Sequence, residues 1–194
     1  MDHLIHRFVR KTLTTRWSVL VLALILRLIG LSTRGIWYDD AFSFFLARRG
    51  PAHIIAGTAA DTMPPLYYLL LHVWIRFGSD VATLRFLSVL PSLGVVAGAF
   101  WLTRTLFGLR AATAAGVLTA VSPFQVYHAQ ELRMYSVLCL SLLLYVSFFS
   151  SLYLGEARNL RLSWLGLIIS GGAAMYSHNL AAFTLISANL LLLL

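Results

Sequence analysis

Charge is what this chain has least of. Only 11% of its 194 residues are charged, fifteen of them basic and seven acidic, against about a quarter in ordinary soluble domains. So few charges cannot clothe a soluble core. There is one cysteine, Cys139, set within an apolar run. That excludes a disulfide within the chain and a cysteine-based metal site, and leaves packing as its simplest role. No Gly-rich nucleotide loop and no His-Glu-x-x-His cluster occur, so a soluble nucleotide-sugar or ATP site has no support. Repeats, low-complexity tracts and a second domain are also missing. The apolar runs lack the alternation of a membrane barrel.

What is present in excess is hydrocarbon. Hydrophobic residues make up 59% of the chain and the mean hydropathy is +0.81, the composition of an integral membrane protein. Several apolar runs approach or exceed the roughly 17–25 residues that a helix needs to cross a bilayer. The expected fold class is all-α, a polytopic transmembrane helical bundle with interfacial helices in the first outer loop. A net charge of +8 could suit nucleic acid, but fourteen of the fifteen basic residues are Arg, placed mainly at the ends of apolar runs. That is the positive-inside pattern, with some cations left over for anionic ligands.

Arg7, Arg10, Lys11 and Arg16 precede the first apolar run with no convincing small-residue cleavage site. An uncleaved, cytoplasmic N-terminus is expected. The first span is expected over 17–31, with Arg27 near its outer end, where it either snorkels or reaches inward to an anion. An outer loop follows over about 32–81, with two segments too short to cross comfortably, 41–49 and 64–77. The first begins at Asp39-Asp40 and ends with Arg48 and Arg49; the second begins with Pro64-Pro65, suited to a helix start. If the second crossed, the turns holding Arg104 and Arg110, and Glu156, Arg158 and Arg161, would lie outside. Laid along the interface, it leaves both turns in the cytoplasm. Spans are then expected at 82–105, 111–126, 134–154 and 162–176, with a last helix begun at Leu180. Because Leu190 to Leu194 stop inside an apolar run, the 194 residues read as the N-terminal part of a longer module, with a second outer loop at about 127–133. Gly94, Gly98 and Gly171-Gly172 read as close helix packing.

On that topology one face gathers Asp39, Asp40, Asp61, Pro64, Pro65, Arg85, the 127–135 turn and Ser177-His178-Asn179. The Asp pair can cap the helix beside it, or one carboxylate can cap while its neighbour reacts. A helical 127–135 turn would align Tyr127, Glu131 and Tyr135 in a stripe, with Gln130 and Arg133 on the neighbouring face. An interfacial belt of Tyr with a Glu/Arg pair has the same composition. Arg85 stands at the outer start of a span, where the inside rule would not put it, which points to a phosphate partner. His178 taken alone is more ordinarily a surface or hydrogen-bonded histidine, and His72 has no special role.

At these residues the chain resembles the C-type membrane glycosyltransferases, in the branch of protein O-mannosyltransferases and lipid A aminoarabinose transferases, over almost all of its length. Asp39-Asp40 resembles the family's Asp-Glu pair. Pro64-Pro65-Leu66 matches its Pro-Pro-Leu step, with Met63 where the family has His or Lys, a departure that touches one donor-phosphate or metal contact. Arg85 matches an Arg at the head of the next span. Gln130, Glu131, Arg133 and Tyr135 match Gln-Glu-x-Arg-x-Tyr, and Ser177-His178 a Thr-His-like step. The resemblance implies an inverting glycosyltransferase of a bacterial or archaeal plasma membrane. It would move a sugar from a polyprenyl-phosphate donor to a protein, lipid or glycan acceptor on the extracytoplasmic side.

In that reading Asp39, ahead of Asp40, would accept the proton of the acceptor hydroxyl. Arg85 and Arg133 would stabilise the leaving phosphate. Glu131 would orient an Arg or bind acceptor or metal, and Gln130, Tyr135, Pro64, Pro65, Tyr67 and His178 would line the donor site. A divalent metal is compatible with this set, and nothing in the sequence requires one. The rivals are a transporter or lipid flippase, which should place strong polar groups near mid-membrane, whereas apart from Arg27 the spans' strong polar groups lie near their ends, and a non-catalytic scaffold.

Overall fold

The computed structural model describes residues 2–61, 63–155 and 157–193, with the side chains of 2–13 and 193 excepted. Arg7, Arg10, Lys11, Glu156 and Leu194, on which the expected N-terminal orientation, one inner turn and the interrupted last helix partly rest, lie outside the described side chains. The regular structure of the described residues is all helical, with no strand. In chain order the α-helices are α1 (Asp2–Leu28), α2 (Tyr38–Ala47), α3 (Pro51–Ala60), α4 (Leu66–Trp74), α5 (Val81–Val121), α6 (Pro123–Ala129), α7 (Tyr135–Tyr153), α8 (Leu160–Ser177) and α9 (Ala181–Leu190). Two of them, α5 and α7, are long and apolar enough to cross a membrane.

α5 is two helical arms joined at Gly108, whose φ of 84° and ψ of −178° belong to a region open essentially only to glycine. The turn between the first two spans after the loop, expected at 106–110, falls there. The second arm ends earlier than the sequence suggested. A span was expected to continue to 126, but Ser122 leaves the helical region (ψ 119°) and Pro123 opens α6. Proline disfavours a helical residue before it, and the Ser122 hydroxyl accepts the Gln125 N–H at 3.5 Å as the cap of the new helix.

The stretch 32–81 holds three α-helices where two were expected. α3 was missed because it buries only Ile54 and Thr58, one turn apart, too little to leave a periodic signal. Pro51 at its first position and Gly50 before it set its start. Leu46, Ile54 and Tyr68 join α2, α3 and α4 in one apolar cluster. Ala47, Tyr67, Leu71, Leu84, Leu87, Leu132 and Met134 fasten that group to α5 and to the chain before α7.

Small residues let the long helices close. A Cβ on Gly98 would lie 2.8 Å from Leu143, and one on Gly94 3.0 Å from Leu140, so the expected tight seam joins α5 to α7. Gly171 meets Tyr145 in the same way, at 3.1 Å, whereas Gly172 faces open space. Arg27 does not snorkel, and its Nη2 is buried without a partner among the described residues. The side chain is fully buried, and donates to Ser92 Oγ at 2.8 Å and to the carbonyls of Ala23 and Ala120 at 3.0 and 3.1 Å. The Ala120 carbonyl belongs to the C-terminal end of α5, where the helix dipole favours a cation.

Candidate functional site

Asp39 and Asp40 are the second and third residues of α2, which begins three residues earlier than the segment expected at 41. Neither caps it, since the N-cap position is Trp37 and carries no side-chain cap bond. Consecutive helical residues point roughly 100° apart, and the two acids go different ways. Asp40 is buried, with Oδ2 3.0 Å from Arg85 Nη2 and Oδ1 accepting the Leu132 N–H at 2.9 Å. Asp39 is exposed, and its carboxylate makes no hydrogen bond or ion pair among the described residues.

Arg85 is 2% exposed. Besides Asp40, its two Nη atoms donate to the carbonyls of Leu31, Arg34 and Gly35 at 2.9–3.0 Å. Its Nε is buried without a partner. The guanidinium therefore ties the chain after α1, the start of α2 and the head of α5 into one knot.

The 127–135 turn is not one helix, which corrects the expected stripe. α6 ends at Ala129, residues 130–134 are irregular, and α7 starts at Tyr135. Partners elsewhere hold the irregular stretch open. Asp40 takes the Leu132 N–H, and Ser88 Oγ donates to the Glu131 carbonyl at 2.6 Å while lying 2.9 Å from the Tyr67 hydroxyl. Gln130 Nε2 donates to the carbonyls of Arg27 and Ile29 at 2.9 and 2.7 Å, satisfying the C-terminal end of α1. Gln130 and Tyr67 are thus engaged inside the protein, with 4% and 0% exposure.

The turn gathers side chains spaced at helical intervals, although residues 130–134 are not helical. His128 Nδ1 lies 2.7 Å from Glu131 Oε2, and its ring packs against Phe124, Tyr127 and Tyr135 with centroids 4.4, 5.2 and 4.5 Å away. Sequence reasoning missed His128, whose available signal was its i, i+3 spacing to Glu131 among aromatics. The Glu131 carboxylate, by hydrogen bond and charge, holds the Tyr127 phenol above its ordinary pKa. Arg34 lies over the Tyr127 ring at 4.5 Å. Tyr135 stacks in turn towards His178, with centroids 6.4 Å apart. His178 Nδ1 accepts the Leu180 N–H at 3.1 Å, which places the proton of the neutral ring on Nε2.

Arg133 is 9% exposed and its Nε is buried with no partner. Burial disfavours its charge, but the surrounding Tyr68, Asp39 and Tyr135 outweigh that and raise its pKa above the ordinary arginine value. The Tyr68 hydroxyl beside it is likewise buried without a hydrogen bond, and burial raises its pKa. Pro64 and Pro65, with Met63, Tyr176 and Asn179, line an open cavity of about 370 Å³ between α3, α4 and the end of α8. No group of three or more His, Cys, Asp or Glu side chains arranged to hold a metal occurs among the described residues.

The structure thus brings Asp39, Asp40, Arg85, Gln130, Glu131, Arg133, Tyr135, Tyr67 and His178 to one end of the helix assembly, while Pro64 and Pro65 line the adjoining cavity. Compared with known proteins, the chain matches no family model, no curated protein and no solved structure.

Proposed function

We propose that the protein is a membrane-embedded inverting glycosyltransferase using a polyprenyl-phosphate sugar, with its reacting groups on the extracytoplasmic side. In this reading α1, the two arms of α5, α7 and α8 span the bilayer, and α2, α3 and α4 lie at its outer surface. A donor with its phosphate at the interface and its tail in hydrocarbon suits a site made of interfacial helices and span ends.

One observation carries the reading. The exposed, unpaired carboxylate of Asp39 lies within electrostatic reach of Arg133, a buried guanidinium with an unpartnered Nε, while the second acid and second Arg neutralise each other. Asp39 accepts the proton of the acceptor hydroxyl as that oxygen attacks the anomeric carbon. The bond from that carbon to the phosphate oxygen breaks, and the phosphate leaves as an anion. An acidic leaving group needs charge stabilisation more than protonation, and Arg133 supplies it in a partly dry site. Asp40 and Arg85 position both groups: Asp40 follows Asp39 in α2 and its Oδ1 holds the backbone of the residue before Arg133. Glu131 and His128 form a neighbouring hydrogen-bonded pair at the acceptor side.

The rival transporter reading rests on Arg27, whose Nε and Nη1 are engaged by Ser92 and two carbonyls inside the helix assembly while its Nη2 has no partner among the described residues. The test is transfer of radiolabelled sugar from polyprenyl phosphate in proteoliposomes. Asp39→Asn should lower the rate by roughly 10²–10⁴-fold, the usual range for losing a general base. Wild-type transfer by Asp39→Asn would remove the base assignment, and no transfer by any form would remove the activity.

A further inference from the structure

A second polar concentration lies at the far end of α7 and α8. The stretch 101–106 of α5, the last turns of α7 and the first turn of α8 enclose a cavity of about 320 Å³. Ser150, on its wall, stands roughly 22 Å along α7 from Tyr135, so this space is separate from the candidate active site.

Its polar lining has unmet donors. Thr105 and Ser147 also line it, but their hydroxyls are spent on the carbonyls of Leu102 and Leu143 at 2.8 and 2.7 Å. Ser163 is different. It is 9% exposed, lines the cavity, and its hydroxyl makes no hydrogen bond among the described residues. Among the described residues Ser150 and Ser151 are also without side-chain hydrogen bonds, and the exposed guanidinium of Arg158 has no ion pair. Beside them α8 begins, with Asn159 Oδ1 accepting only the Leu162 N–H at 3.1 Å, so the positive end of that helix adds to the field. Among the described residues no carboxylate lines the cavity. Hydroxyl donors, a helix N-terminus and an unpaired guanidinium form the set that recognises a phosphate oxyanion.

The remaining walls are apolar, with Leu102, Leu106, Phe148 and Leu154, and with Trp101 on the rim at 52% exposure. A soluble ion has no use for such walls, whereas acyl chains do. We propose that this seam binds the phosphate of an anionic phospholipid in the cytoplasmic leaflet. The lipid source rests on the membrane reading above; the phosphate chemistry does not.

The test uses native mass spectrometry of the purified protein in detergent with dioleoyl phosphatidylglycerol, dioleoyl phosphatidylcholine or inorganic phosphate. Phosphatidylglycerol should be retained over phosphatidylcholine, and its affinity should fall roughly tenfold in Arg158→Gln, the loss of one charge-assisted contact. Ser163→Val should weaken it as well, and Asp39→Asn should leave it unchanged. Because Arg158 is exposed, its replacement does not threaten folding. Inorganic phosphate binding that Arg158→Gln abolishes, without retention of phosphatidylglycerol, would keep the phosphate site and overturn the lipid source. Equal retention of both lipids with no phosphate binding, or equal binding by wild type and Arg158→Gln, would overturn the proposal. Membrane fractionation of cells reads the membrane assignment separately, since the phosphate arm needs no bilayer.

Discussion

Asp40 and Arg85 hold each other at 3.0 Å with only 3% and 2% of their side chains exposed, and this contact divides the labour of the Asp pair. A carboxylate so paired, and accepting a backbone N–H as well, is committed to holding the chain together. Its neighbour on the helix is left to the surface.

Breaking that pair should destabilise the end of the helix assembly that holds α2 and the head of α5. Arg85→Gln or Asp40→Asn leaves an uncompensated buried group and should cost roughly 3–5 kcal/mol, read by thermal or chemical unfolding in detergent. Asp39→Asn should stay within about 0.5 kcal/mol of wild type, as an exposed substitution does. Equal losses at Asp39 and Asp40 would contradict the division.

The seam between α7 and α8 makes a packing prediction with its own control. A Cβ on Gly166 would fall 2.4 Å from the Phe148 ring, while one on Gly172, in the same helix, meets nothing within 4 Å. Gly166→Ala should destabilise by about 1–3 kcal/mol, and Gly172→Ala should be neutral or stabilise by up to about 1 kcal/mol through helix propensity. Melting curves of the two variants decide it.

Asp80 gives α5 a pH-dependent start. It caps the helix by accepting the Thr83 N–H at 3.0 Å, and the hydrogen bonds from Thr83 hold its carboxyl below the usual aspartate range. A depressed folded-state pKa means that the unfolded chain binds the proton first. The contribution is therefore complete above the ordinary value of about 4 and is lost as pH falls from there through the lowered one. Asp80→Ala should flatten this part of the stability profile, measured as unfolding midpoints across that acid range.

Membrane orientation can be read by labelling. In a Cys139→Ser background, Pro64→Cys and Asp80→Cys should both react with an impermeant thiol reagent from outside the cell. Labelling of Asp80→Cys from the cytoplasm alone would mean that α4 crosses, and would invert every later span.

Much of the helical framework was legible because it is written in composition and local chemistry. The apolar run that became α7, the Pro64-Pro65 step ahead of α4 and the glycines at 94 and 98 all announced themselves by hydropathy, backbone restriction or small size. α3 did not, since two inward residues make no period. The break at Ser122 was signalled by Pro123 and was overridden in the sequence reading by the apolar residues continuing past it.

The site was legible as a set of residues and not as an arrangement. Charge rarity in an apolar chain singled out Asp39, Asp40, Arg85, Glu131 and Arg133, because each ionised group in or near hydrocarbon needs a reason. Roles depend on partners far away in sequence. That Asp40 belongs to Arg85 and to the Leu132 N–H, that Gln130 satisfies the end of α1, and that Arg27 turns into the helix assembly follow from which chain segments pack together. Residues 40, 85 and 132 have no local pattern linking them, so their contact exists only once α2, α5 and the turn before α7 are brought to the same end. The sequence by itself determined an apolar, all-helical chain with few charges. The tertiary structure alone decided which charges cancel and which remain available, because burial and pairing are properties of the packed helices.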